Sequence, residues 1–117
     1  LAPEPFEIGH GMPAQPVEVD WEIASDDRFQ TVVRKGTAIA RPELGHSVHV
    51  EVGGLELGRP YHYRFLAGRE RSIAGRAVTM PAAGARLDRL RFAVAGCQHY
   101  EQGYYTAYRH LAAEELD

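Results

Sequence analysis

The sequence predicts a mainly β chain, an antiparallel sandwich followed by the opening of an α/β layer. Period-two alternation recurs in Val17-Glu18-Val19-Asp20-Trp21-Glu22-Ile23, in His46-Ser47-Val48-His49-Val50-Glu51-Val52 and in Tyr61-His62-Tyr63-Arg64-Phe65, which is the signature of strands with one face buried. The small, breaker-rich stretch Pro81-Ala82-Ala83-Gly84-Ala85-Arg86 then interrupts the pattern, as a linker does. Beyond it, Leu90-Arg91-Phe92-Ala93-Val94-Ala95 is largely apolar, as in a strand covered on both faces. A sandwich of the immunoglobulin-like kind takes about 100 residues. The 117 residues therefore hold one such domain and the start of another.

Each element has a local reason. Leu1-Ala2-Pro3-Glu4 reads as the tail of an edge strand whose beginning has been cut away. In the strand 17–23 the odd positions are apolar and the even ones acidic, so Trp21 points into the core. Ser25-Asp26-Asp27 forms a polar turn. A second strand runs over 29–36 and 37–40 with a Gly interruption, and Arg41-Pro42-Glu43-Leu44-Gly45 breaks the chain again. His46–Val52 is the next strand, with Val48, Val50 and Val52 on one face, and Gly53-Gly54 ends it. Leu55 and a tight turn at Gly58 precede Tyr61. This suits a sandwich corner, where the Tyr hydroxyl bonds back to the upstream backbone. Tyr63 and Phe65 share the face of Tyr61, whereas His62 and Arg64 look outward. Ala67-Gly68-Arg69-Glu70 is a hairpin turn, and Gly75–Met80 is the last strand, stopped by Pro81.

The resulting domains are 1–81, a linker over 82–89 and a second, incomplete domain over 90–117. The strand 90–95 leads into Gly96-Cys97-Gln98-His99, and a helix begins near Gly103 with Tyr104, Tyr108 and Leu111 at i, i+4 and i+7. One strand and one helix are half of a βαβ unit and cannot bury their own faces. The chain is expected to be a fragment.

Composition excludes several classes. No apolar run approaches the roughly 20 residues of a membrane helix. With sixteen acids against thirteen Lys and Arg, and the Arg residues scattered, the basic footprint of nucleic-acid recognition is missing. The single cysteine, Cys97, closes no internal disulfide and builds no Cys-pair zinc site. It stands at the C-terminal end of the predicted buried strand, the edge where α/β sheets bind ligands. A thiolate there is a candidate metal ligand or nucleophile; a free Cys is more often a small buried hydrophobe, and both readings stay open. His99 is a second candidate ligand, although a single His in a turn is more often solvated. Tyr100, Tyr104, Tyr105 and Tyr108 form an aromatic cluster that helix packing explains more simply than phenolate ligation. His10, His46, His49 and His62 show no metal-ligand spacing. Glu114, Glu115 and Asp117 read as a solvated helix end.

Trp21, Ser47-Val48-His49-Val50, Leu55, Gly58, Tyr61-His62-Tyr63-Arg64-Phe65, Gly75-Arg76 and Thr79 together resemble the N-terminal domain of the PhoD-like alkaline phosphatases. Phe92-Ala93-Val94-Ala95-Gly96-Cys97-Gln98 followed by Gly103-Tyr104-Tyr105-Thr106-Ala107 resembles the first strand and helix of the metallophosphatase domain in that family. The resemblance implies a fibronectin-like sandwich that packs on an αββα catalytic domain, here truncated. It also implies a secreted, periplasmic or cell-surface hydrolase of phosphate mono- and diesters that uses ferric iron and calcium. Residue by residue, only Cys97 matches a family metal ligand, as the thiolate on iron. The family commonly has Ser before this Cys where Gly96 stands, which removes a hydroxyl but not the thiolate. The remaining ligands and the catalytic groups are expected beyond residue 117, so the isolated chain is expected to bind no metal stably and to be inactive. The rival readings are a non-catalytic fibronectin-like binding module and the purple acid phosphatases, whose metal motifs lack this cysteine.

Overall fold

The alternating segment at the start becomes strand β1 (Val17–Ala24) in the computed structural model, which describes residues 11, 14–96, 99 and 103–116. It lies between β2 (Val32–Ala40) and β3 (Pro60–Ala67), antiparallel to both. The far edge of β3 carries two short strands, β4 (Glu70–Arg71) and β5 (Gly75–Val78), which complete one five-stranded antiparallel sheet. The architecture is mainly β, as expected. The chain divides into two units, Leu1–Ala82 and Ala83–Asp117, and the whole sheet belongs to the first.

The pleat sorts the side chains as the alternation requires. One row of register partners runs Gly36, Trp21, Phe65 and a neighbouring row runs Ile23, Tyr63, Gly75. Both glycines serve close approach: a Cβ on Gly36 would lie 2.6 Å from the Trp21 ring, and one on Gly75 would collide with the Tyr63 ring. The two rings lie over the bare backbone opposite them, a pairing in which an aromatic covers a strand glycine. Tyr63 meets Phe65 edge to face with ring centroids 6.2 Å apart. On the opposite face the register pairs are polar. Thr37 Oγ1 donates to Asp20 at 2.6 Å, and the Arg64 guanidinium donates to Glu22 Oε2 through Nε at 2.7 Å and a terminal nitrogen at 2.6 Å.

Because β1 separates β2 from β3, residues 41–59 must cross the sheet rather than turn back beside it. They begin with a single turn of 3-10 helix (Pro42–Leu44) closed by Gly45 in the left-handed region. His46–Val52, expected as a strand, has no ladder partner among the described residues, and His46 itself sits in a turn at φ 54°. Its alternation nonetheless survives as burial, with Val48, Val50 and Val52 half-buried and Ser47, His49 and Glu51 exposed. Arg34 on β2 donates to the Gly54 carbonyl at 2.7 Å and anchors the crossing. This layer over the inner face is the sandwich-like feature of the first unit.

The corner that follows is the one the sequence predicts. The Glu56 N–H donates to the Tyr61 hydroxyl at 3.0 Å, and Tyr61 is 7% exposed, one of three buried core residues with Ala24 and Ala40 among those described. Thr79 laces the corner from the other side. Its hydroxyl donates to the Glu56 carbonyl at 2.7 Å and accepts the Arg59 N–H at 2.9 Å. The hairpin at 67–70 also stands, with Gly68 and Arg69 between the paired Ala67 and Glu70.

Other boundaries differ from expectation. Phe29–Thr31 lie in a loop, because Asp26 accepts the N–H groups of Arg28 and Gln30 on one oxygen and of Thr31 on the other, at 2.7 to 3.1 Å. Gly36 does not interrupt β2, since Trp21 fills the space above it. The last strand stops at Val78, where the Thr79 side chain turns to the corner. Residues 90–95 carry no strand, as no described residue supplies the neighbour a ladder needs. The helix, α1, spans Thr106–Ala112 and not 103 onward: Gly103 at φ 94° and Tyr105 at φ 52° are in left-handed backbone that a right-handed helix cannot include.

Candidate functional site

Cys97, the residue singled out from sequence, lies outside the described residues, as do Gln98, Tyr100, His10 and Asp117. Its described neighbours Gly96 and His99 are exposed. Around them the second unit shows how the local chain is organised. Arg91 donates to Glu114 Oε2 at 3.0 Å, joining the segment before Cys97 to the residues just after α1. Glu114 is therefore a partner in an ion pair and not merely part of a solvated helix end. The pair was not legible from spacing, because its members are 23 residues apart.

The tyrosines separate. Tyr104 precedes α1 and is 91% exposed, so it is not on the helix face, whereas the Tyr105 and Tyr108 rings lie 6.2 Å apart. Leu111 is half-buried. Leu90, Phe92 and Val94 are exposed, the last two at 73% and 88%.

A metal site needs several converging ligands. Among the described residues no group of three His, Cys, Asp or Glu side chains is placed to hold one. His49 is exposed, His62 belongs to β3, and His46 follows the 3-10 turn of the crossing segment with its Nδ1 buried and unpartnered. The structure does not bring them together. The described residues alone thus provide no metal centre.

Trp21, Ile23, Val50, Val52, Leu55, Tyr61, Tyr63, Phe65 and Val78 line most of an open apolar cleft of about 290 Å³ on the sheet. Glu22 and Arg64 also border it, with their side chains paired with each other on the opposite face of the sheet. Arg64 also lies 4.1 Å from the centre of the Phe29 ring, a cation–π contact. The N–H groups of Gln30 and then Thr31 hold the Asp26 carboxyl below the usual carboxylate range. These bonds hold the loop between β1 and β2 in place.

Comparison with known proteins extends the geometry. Residues 1–81 match the family described as PhoD-like phosphatase, N-terminal domain. All 117 residues align at 55% identity with alkaline phosphatase D of Bacillus subtilis (strain 168), covering 20% of that protein. A solved structure of PhoD matches the whole chain with a TM-score of 0.92 and 55% identity, over 22% of its own length. The chain spans about one fifth of the length of these relatives.

Proposed function

The chain belongs to the PhoD-like phosphatase family, and from that premise we propose that it is the N-terminal part of a metal-dependent enzyme hydrolysing phosphate mono- or diesters. The observation that carries this reading is that identity to an alkaline phosphatase runs through all 117 residues, across the second unit as well as the first. A stand-alone binding module would account for the sandwich region only.

On this reading residues 1–81 are a scaffold that packs on the catalytic domain, and Cys97 is the one catalytic-centre ligand the chain contributes. A soft thiolate on ferric iron is chemically reasonable, since a bound ion holds the thiol deprotonated. Iron and calcium, held there, would supply Lewis-acid chemistry for polarising a phosphoryl oxygen and activating an oxygen nucleophile. The chain's own part is to present the thiolate at the end of the 90–96 segment, where Gly96 adds no hydroxyl. Export to a secreted, periplasmic or cell-surface location belongs to the same proposal.

The test is release of phosphate or alcohol from a chromogenic phosphomonoester and a phosphodiester, with calcium and iron supplied. The longer protein should hydrolyse at least one, and the 117-residue chain neither. No hydrolysis by the longer protein would refute the proposed activity, and turnover by the short chain would refute its dependence on ligands elsewhere.

A further inference from the structure

We draw no further inference here: the strongest candidate, the apolar cleft that Trp21, Val52, Leu55, Tyr61 and Phe65 line on the sheet of the first unit, is an unpartnered core face, and nothing in the structure shows what covers it.

Discussion

Tyr61 shows how one side chain can fix a corner. Its ring is buried beside the sheet while its hydroxyl accepts the Glu56 N–H, so a backbone group that would otherwise lose its partner is satisfied. Tyr61→Phe keeps the ring and removes the acceptor. It should destabilise the first unit by about 1 kcal/mol, lowering Tm by roughly 4–8 °C in a domain of this size; an unchanged Tm would mean that the hydroxyl contributes nothing. This role was legible because a Gly turn before an alternating Tyr strand is a local pattern. Asp26 was legible only as a turn former, since sequence does not say that three backbone donors converge on it. Its folded pKa is lowered, chiefly by Gln30 and Thr31, so its contribution is complete above the unfolded pKa and is lost as pH falls through the folded one. Thermal unfolding of the chain and of Asp26→Asn should therefore differ most near about pH 7 and converge below about pH 4. A gap that stays constant into acid would show that the carboxylate charge is irrelevant.

At the scale of elements, β1 and β2 are held in register by Trp21 lying over Gly36. A methyl group at Gly36 forces the indole aside, at a cost of about 1–3 kcal/mol for such overpacking. Gly53 has open space around its Cβ position, so Gly53→Ala should stay within about 0.5 kcal/mol of the parent. Denaturant unfolding of the two variants checks this; equal stabilities would remove the close-approach account. The same pair explains a boundary that sequence reading missed: glycine reads as a breaker until its cross-strand neighbour is known. The crossing segment failed in a different way. Its alternation correctly predicted which valines are turned inward, yet strand assignment depends on a hydrogen-bonding partner and alternation does not. The spacing of Tyr104, Tyr108 and Leu111 is helical, but left-handed backbone at Gly103 and Tyr105 delays the start of α1 to Thr106 and leaves Tyr104 outside it.

For the whole molecule, the two units differ in how much regular structure their described residues hold. The first has a sheet with an aromatic inner face, a polar outer face and a laced corner. In the second, Leu90, Phe92 and Val94 are exposed and one short helix is joined to the rest by the Arg91–Glu114 pair. Mainly β character and family were readable from patterns and motifs, because both are properties of contiguous residues. The surroundings of Cys97 were not, because a metal site is assembled from residues distant in sequence. The claim that this chain brings part of a catalytic centre is tested most directly by iron analysis of the longer protein, purified with Cys97 and with Cys97→Ser. The account predicts bound iron in the first and loss of most of it in the second, with an unchanged circular dichroism spectrum; full iron retention in Cys97→Ser would contradict it.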